Sequence, residues 1–238
     1  MRDPYLYDDV NILRNLGNIR NISELRQAEG DVTRYTLAMV HAQKFIKFNT
    51  ETLCEIHRMI FGDLYDWAGE FRTIPLIKRE EILDGDTVRY AYPDQIKKEL
   101  IESSKEINKL RKNEKKEVLL FKLVRITAKI WQTHPFREGN TRAVLSFIIL
   151  LAANLNIEFD YFLFEQHAVY VRNALVWASQ GLYSKYEYLE RIFYDAAGIT
   201  LDSNQTANII NSDYTHIEGY YIGDYTEQPH EYYNWTIG

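Results

Sequence analysis

The sequence predicts a mostly α-helical protein, a helical bundle with one β-hairpin. Long stretches carry apolar residues three or four positions apart, which is the spacing of one face of a helix. Residues 69–92 instead alternate apolar and polar residues on either side of a turn signal. Apolar residues make up 46% of the 238 positions, enough for an ordinary core. The length fits one domain with a small appendage.

The helices follow one another along most of the chain. The first is predicted at residues 23–47 and the second at residues 50–61, with Thr50 as its cap. Pro93 then opens a helix that runs to about Arg111. Nearly continuous apolar positions predict two deeply buried helices, and later segments predict three more. These five helices cover residues 116–133, 139–155, 162–178, 183–196 and 202–219.

Two alternating segments frame the predicted hairpin, GEFRTIPLI at residues 69–77 and TVRYAY at residues 87–92. Their β-branched residues favour strands, and the sequence DGD at residues 84–86 favours a turn between them. Pro75 has no N–H to give to a sheet, which indicates an edge position.

Bulk properties exclude several classes of function. The formal charge is −6 and no basic stripe is visible, so we expect no nucleic-acid partner. Cys54 is the one cysteine, which excludes an internal disulfide and a thiolate zinc site and suits the cytoplasm. The first ten residues contain no apolar signal core. The longest apolar run, residues 143–155, is too short to span a bilayer, so we expect a cytoplasmic protein without a membrane partner.

The segment THPFREGNTR, residues 133–142, joins the two most apolar predicted helices. Pro135 disfavours the helical conformation at His134, so the first helix should end there. The second helix should begin near Gly139 or Asn140, with its free N–H groups pointing into the loop as an anion site. Arg142 lies in the first turn, against the helix dipole, and is favoured there if an anion lies nearby.

Two further residues of this loop indicate chemistry. Glu138 is an oxygen ligand beside the anion site, as in proteins that hold Mg²⁺ with one carboxylate and substrate phosphates. His134 has the pKa of a general base near neutral pH. Phe136 is predicted to turn inward. Together these residues suit transfer of a phosphorus group from a nucleotide. The alternative interpretation is a capped helix–helix turn with an exposed histidine. A zinc hydrolase is excluded, because the sequence lacks the His-Glu-x-x-His pattern.

The segment HPFREGNTR resembles the Fic motif, His-x-Phe-x-acid-Gly-Asn-Gly-or-Lys-Arg. Residues 56–73, IHRMIFGDLYDWAGEFRT, are similar to the Tyr-x-Trp-Ala-Gly-x-x-Arg segment that leads into the Fic flap. The resemblance covers most of residues 1–198 and implies a Fic catalytic domain there, with the flap at about 72–92. Residues 199–238 would then be a C-terminal inhibitory helix and tail.

The resemblance implies a protein adenylyltransferase, which transfers AMP from ATP to a Tyr, Ser or Thr hydroxyl of a target protein. His134 would deprotonate that hydroxyl, and Glu138 would hold Mg²⁺. The flap would pair with an extended segment of the target. A homo-oligomer is left open. The implied nucleotide-binding residues come from the loop and the flap: Phe136, Arg137, Gly139, Asn140, Thr141, Arg142 and Lys78.

Thr141 departs from the family pattern. Members that transfer AMP usually have glycine there, and phosphotransferring relatives of the Doc type often have lysine. A threonine could donate its hydroxyl to a phosphate, or it could crowd the nucleotide. Two alternatives therefore stay open: a phosphotransferase or other nucleotide-derived phosphoryl-group transferase on the same fold, and a non-enzymatic module that senses nucleotides.

Many Fic proteins are blocked by a helix with the motif Ser-or-Thr-x-x-x-Glu-Gly-or-Asn, whose glutamate pairs with the motif arginine. YTHIEG at residues 214–219 resembles it, which implies that Glu218 and Gly219 are inhibitory and leaves removal of AMP by the same glutamate open. SELRQAEG at residues 23–30 also ends in Glu-Gly, but its amphipathic pattern favours a structural role. A carboxylate against Arg142 would displace the γ-phosphate, so its removal should raise activity.

Overall fold

The computed structural model describes residues 3–199, Tyr214, residues 216–217 and residues 220–221. Within residues 3–199 the chain forms eight α-helices, which confirms the mostly α-helical prediction. Their bounds are α1 (Ile22–His41), α2 (Thr50–Phe61), α3 (Ile96–Ile107), α4 (Lys116–Thr133), α5 (Asn140–Asn154), α6 (Tyr161–Gln166), α7 (Ala168–Ala178) and α8 (Glu187–Ala196). Two short strands, β1 (His216–Ile217) and β2 (Tyr220–Tyr221), pair in antiparallel fashion.

Helices α4 and α5 form the centre of the bundle. Helix α4 contacts α3, α5, α7 and α8, while α1 and α2 cover α5 from another side. Leu120, Leu123 and Val124 of α4 are fully buried, as expected for a helix with apolar residues nearly all around it. The short connection from α4 to α5 therefore lies at one end of the two central helices. No helix among the described residues is long and apolar enough to cross a membrane.

Several predicted helix boundaries are wrong by a few residues. Helix α2 is capped by the Asn49 side chain, which accepts a hydrogen bond from the Thr52 N–H, and not by Thr50. Helix α3 begins at Ile96, because residues 93–95 form a turn first. The helix predicted at 162–178 is interrupted at His167, which separates α6 from α7.

Residues 72–92 double back as predicted, but they do not form two regular strands. The two arms are joined by the antiparallel bridge between Arg79 and Thr87. Asp84 and Gly85 have positive φ angles of 54° and 87°, which agrees with the predicted turn. The regular hairpin prediction is wrong at the base, where the buried Arg72 guanidinium, and not a strand, binds the carbonyl groups of both arms. We call residues 72–92 the flap.

The helix predicted at residues 202–219 lies mostly outside the described residues. Where the structure describes it, residues 216–217 form strand β1, so the helix prediction is wrong there. Ile217 is buried and β1 contacts α7. Aromatic and β-branched residues in this segment favour strands over helices. Glu218 and Gly219 lie outside the described residues, and the boundary between residues 198 and 199 stays a prediction.

Candidate active site

The loop between α4 and α5 borders a cleft of about 300 Å³. Helix α4 ends at Thr133, and His134 takes the left-handed conformation with φ 50°. The Asn140 side chain closes the loop, because its Oδ1 accepts a hydrogen bond from the Phe136 N–H at 2.9 Å and its Nδ2 donates to the Phe136 carbonyl at 2.8 Å. The predicted end of one helix and start of the next are therefore confirmed at this loop.

Gly139 precedes α5 and has no room for a side chain. Its φ of 76° is left-handed, and a Cβ atom would lie 2.3 Å from the Phe61 ring. The loop thus passes directly against α2. Gly85 has a similar φ of 87°, but a Cβ there would meet nothing within 4 Å.

We expect Gly139→Ala to lower the free energy of unfolding by about 2–5 kcal/mol, the sum of left-handed strain and overpacking. Gly85→Ala is the matched control, since it adds the strain alone, about 1–2 kcal/mol. Urea unfolding of both variants measures the difference. Equal losses in the two variants would show that the contact with Phe61 can relax.

His57 of α2 supports the loop from below. Its Nδ1 accepts a hydrogen bond from the Gly69 N–H at 2.8 Å, so its Nε2 carries the proton and donates to the Glu138 carbonyl at 3.0 Å. Its ring stacks on Phe136, with centroids 3.8 Å apart. Burial lowers the pKa of His57 to about 4, so the ring is neutral. The sequence around His57 indicates an amphipathic helix, and no local pattern predicts its contact with the loop.

The Phe136 side chain lies inside the protein, and the predicted inward orientation is confirmed. Its side chain is 0% exposed, so it pins the loop to the core and does not line the cleft. The resemblance also assigns Phe136 to nucleotide binding, and its burial limits it to an indirect part through the shape of the loop.

Arg72 connects the loop to the flap. Its Nε donates to the His134 carbonyl at 2.7 Å, and its Nη1 donates to the Ile74 carbonyl at 2.6 Å. Its other terminal nitrogen donates to the Ala91 carbonyl on the far arm of the flap. Arg72 is 1% exposed, and it is the arginine that ends the Tyr-x-Trp-Ala-Gly-x-x-Arg segment. It therefore sets the position of the flap base relative to His134.

The ring of His134 is held by aromatic contacts. Tyr90 of the flap lies 4.1 Å from it, centroid to centroid, and Trp131 of α4 lies 5.6 Å from it in a T-shaped arrangement. Neither ring nitrogen has a hydrogen-bond partner within the described part of the chain. Burial lowers the pKa of His134 well below its usual value, and the positive charges of Lys78 and Arg72 lower it further. The imidazole is thus neutral at physiological pH, and the near-neutral pKa expected from the sequence is wrong because burial and the neighbouring cations disfavour the charged ring.

Glu138 lies among positive charges at the same cleft. Its Oε2 is 3.7 Å from the Lys78 ammonium, and its Oε1 accepts a hydrogen bond from the Gly139 N–H. Burial alone would raise the pKa of Glu138, but Lys78, Arg137 and Arg142 outweigh it and lower that pKa to about 2. The carboxylate is therefore ionised at any physiological pH. Lys78, which the resemblance assigns to nucleotide binding, thus lies beside the loop, and its part in binding the nucleotide stays a prediction.

Arg137 has a buried partner far away in the sequence. Its guanidinium lies 2.6 Å from the Asp3 carboxylate, and both side chains are nearly inaccessible to solvent. Asp3 belongs to the N-terminal segment, whose Tyr5 side chain accepts a hydrogen bond from the Thr73 N–H at the flap base. No sequence pattern links Asp3 to Arg137, so this contact could not be predicted.

Arg142 contacts helix α1 at the other end of the cleft. Its guanidinium forms an ion pair with Glu29 and donates to the Thr33 hydroxyl at 3.2 Å. The second oxygen of Glu29 accepts a hydrogen bond from the Tyr65 hydroxyl at 2.8 Å. The interpretation of residues 23–30 as a packing segment therefore needs correction. Glu29 and Thr33 lie one helical turn apart, so one face of α1 presents both to Arg142.

Arg172 of α7 is a further cation at the cleft, and it was not predicted from the sequence. It makes a two-pronged ion pair with Glu80 of the flap, with distances of 2.6 and 3.0 Å. Glu80 is buried, so this pair fastens the flap to α7. Its sequence position, in a long apolar helix, indicated packing and not a site.

Comparison with known sequences gives a consistent result. Residues 47–152 match the Fic/DOC family. The chain is 30% identical over 162 residues to "Probable protein adenylyltransferase Fic" of Escherichia coli K12, an alignment that covers 67% of this chain and 77% of that protein. It is 28% identical over 161 residues to the protein adenylyltransferase VbhT of Bartonella schoenbuchensis, covering 67% of this chain and 32% of that protein.

Solved structures with the same fold come from Bartonella effector proteins. BepC of Bartonella tribocorum, crystallised with AMPPNP, superposes with a TM-score of 0.68 at 22% identity, covering 81% of this chain and 95% of that chain. The type IV secretion system effector BepA has the same TM-score and identity, and covers 81% of this chain and 67% of that one. At this identity the likeness concerns the fold.

Proposed function

The chain belongs to the Fic/DOC family, and we propose that it is a protein adenylyltransferase, which transfers AMP from ATP to a hydroxyl group of a target protein. One observation carries the proposal. A neutral, buried His134, an ionised Glu138 and the start of helix α5 meet at one cleft. These are the base, the metal ligand and the anion site that such a transfer needs.

The N-terminal end of α5 and the cations around it would bind the phosphates. The first N–H groups of a helix have no partner within it and attract anions. Asn140 and Thr141 begin α5, with Gly139 before them, and Arg142 lies in its first turn. Lys78 and Arg172 line the same cleft. The AMPPNP bound by BepC supports ATP as the nucleotide.

His134 would accept the proton of the attacking hydroxyl. The hydroxyl oxygen forms a bond to the α-phosphorus of ATP, the bond from that phosphorus to the β-phosphate oxygen breaks, and pyrophosphate leaves. The neutral ring of His134 suits this role because a protonated imidazole could not act as a base. Arg72 and the two aromatic neighbours keep the residue in place.

Glu138 is suited to hold Mg²⁺ together with phosphate oxygens. The described residues contain no group of three or more His, Cys, Asp or Glu side chains that could form a complete metal cage. One ionised carboxylate beside an anion site is the usual protein contribution to a magnesium–nucleotide complex. When bound, Mg²⁺ neutralises charge on the phosphates. The Lys78 ammonium would then leave Glu138 and bind a phosphate oxygen instead.

The flap is the proposed docking edge for the target. Its arms share few backbone hydrogen bonds with each other, and Ile77 beside Lys78 is 56% exposed. An extended segment carrying Tyr, Ser or Thr could therefore pair with it by strand addition. A cytoplasmic location, which the free Cys54 favours, stays a prediction. The formation of a homo-oligomer also stays a prediction.

We also propose that the enzyme inhibits itself through Glu29. The carboxylate occupies Arg142, which would otherwise bind the terminal phosphate of ATP, and it would repel that phosphate. This assigns the inhibitory contact to α1 and not to the C-terminal segment. The parts predicted for Glu218 and Gly219, inhibition and removal of AMP, stay predictions.

Labelled ATP tests the proposed reaction. The Glu29→Gln variant would be incubated with Mg²⁺, a cell lysate and ATP carrying ³²P at either the α or the γ position. Adenylyl transfer labels protein from α-labelled ATP alone, whereas a phosphotransferase, which Thr141 keeps as the alternative, labels protein from γ-labelled ATP alone. A mass increase of one adenosine monophosphate on the labelled protein would identify the product.

We expect chelation of Mg²⁺ by EDTA to abolish this labelling. Glu138→Gln should raise the Mg²⁺ concentration needed for half-maximal labelling by about 10- to 100-fold, because the amide is a weaker ligand than the carboxylate. Glu165→Gln, an exposed glutamate on α6, is the control for loss of one charge. An unchanged Mg²⁺ requirement in Glu138→Gln would remove Glu138 from the proposed metal site.

A further inference from the structure

Thr141 has a defined partner in the structure. The indole N–H of Trp131 donates a hydrogen bond to the Thr141 hydroxyl, with Nε1 and Oγ1 2.9 Å apart. Trp131 lies in the last turn of α4 and is 1% exposed, and Thr141 lies in the first turn of α5. The bond thus ties together the two helices that flank the loop. A glycine at position 141 would leave the buried indole N–H without this acceptor, which is costly.

His134 contacts Trp131 through both its ring and its backbone. A general base is usually oriented by a hydrogen bond from a third group to its second nitrogen. Within the described residues His134 has no such bond, and its ring instead contacts the rings of Tyr90 and Trp131. The backbone adds a link, since the His134 N–H donates to the Trp131 carbonyl at 3.0 Å. Any rotation of the indole would therefore move a wall of the His134 pocket.

We propose that Thr141 is a positioning residue, which fixes the indole of Trp131 and through it the ring of His134. The inference rests on the proposed function, in which His134 is the base. Thr141, the residue that departs from the family motif, would then support proton transfer. This role differs from binding a phosphate and from crowding the nucleotide. Thr141 and Trp131 form a pair in which each requires the other.

The chain offers a matched set of variants. Thr141→Val keeps the shape and removes the acceptor, Thr141→Ser keeps the acceptor, and Trp131→Phe removes the donor. Each would be made in the Glu29→Gln background and checked by thermal unfolding. In protein labelled with ¹⁵N at histidine and tryptophan, the indole signal is assigned with Trp131→Phe and the ring signals of the base with His134→Asn.

We expect Thr141→Val to shift the indole N–H signal of Trp131 and the ring signals of His134, while Thr141→Ser leaves both close to those of the parent. The rate of labelling at saturating ATP should fall about 10- to 100-fold in Thr141→Val, because small displacements of a catalytic group have large effects on rate. The affinity for AMPPNP with Mg²⁺, measured by calorimetry, should change much less, and Thr141→Ser should label faster than Thr141→Val.

Unchanged His134 signals in Thr141→Val would overturn the inference, whatever the activity. A tighter affinity for AMPPNP or faster labelling in Thr141→Val would also overturn it, because the hydroxyl would then hinder the reaction and not support it. Failure of the proposed function has a separate signature, which is no label from α-labelled ATP in the parent variant. In that case the His134 signals still decide whether Thr141 positions the ring.

Discussion

Replacing Glu29 by glutamine should raise the rate of protein adenylylation by about 10- to 100-fold. The carboxylate forms an ion pair with Arg142, and glutamine keeps its shape but not its charge. A hydrogen bond between charged groups contributes about 1.5–3 kcal/mol, and each 1.4 kcal/mol is a factor of about ten in an equilibrium. Weakening the ion pair should therefore raise the fraction of Arg142 available to the terminal phosphate by the same factor.

The measurement is the initial rate of labelling from α-labelled ATP at subsaturating nucleotide. Glu24→Gln is the matched control, since it removes the same charge from an exposed position of the same helix. A fall in rate, together with a lower melting temperature, would mean that Glu29 only holds α1 against α5. A rise in Glu218→Gln without a rise in Glu29→Gln would place the brake in the C-terminal segment, as the motif resemblance implies.

The helices and the loop between α4 and α5 could be predicted because their causes are local. The spacing of apolar residues predicts α4 and α5. Pro135 disfavours a helical conformation at His134, so α4 ends just before it whatever the tertiary contacts. The same local logic fails for the flap. Alternation and a turn signal predicted two strands, but the carbonyls at the flap base bind Arg72, which no short window of sequence can foresee.

The contacts that shape the site are long-range, and this is why they escaped prediction. Glu29 and Arg142 are 113 residues apart, and Asp3 and Arg137 are 134 apart. A sequence pattern identifies a helix face, but it does not say which face of another helix it meets. The inhibitory motif specifies a Ser or Thr four residues before the glutamate, whereas the physical requirement for pairing with Arg142 is a carboxylate on the facing side of a helix.

Replacing His134 by asparagine should lower the labelling rate by about 10²- to 10⁴-fold, the contribution of a positioned general base. Asparagine is the better substitution because His134 has a φ of 50°, and asparagine tolerates the left-handed conformation that alanine does not. The backbone bond from Arg72 to the residue 134 carbonyl does not depend on the side chain and is retained. The loss should therefore report the missing imidazole and not a displaced loop.

Two measurements separate the base from other roles of His134. The affinity for AMPPNP with Mg²⁺ should stay within about threefold of the Glu29→Gln parent, because the phosphates are bound by α5 and the surrounding cations. His167→Asn, a half-buried histidine between α6 and α7, is the control for loss of an imidazole outside the cleft. If His134→Asn binds the nucleotide normally and still labels at the parental rate, the proton must leave by another route. The neutral state of His134 would then be a consequence of its burial and not a sign of catalysis.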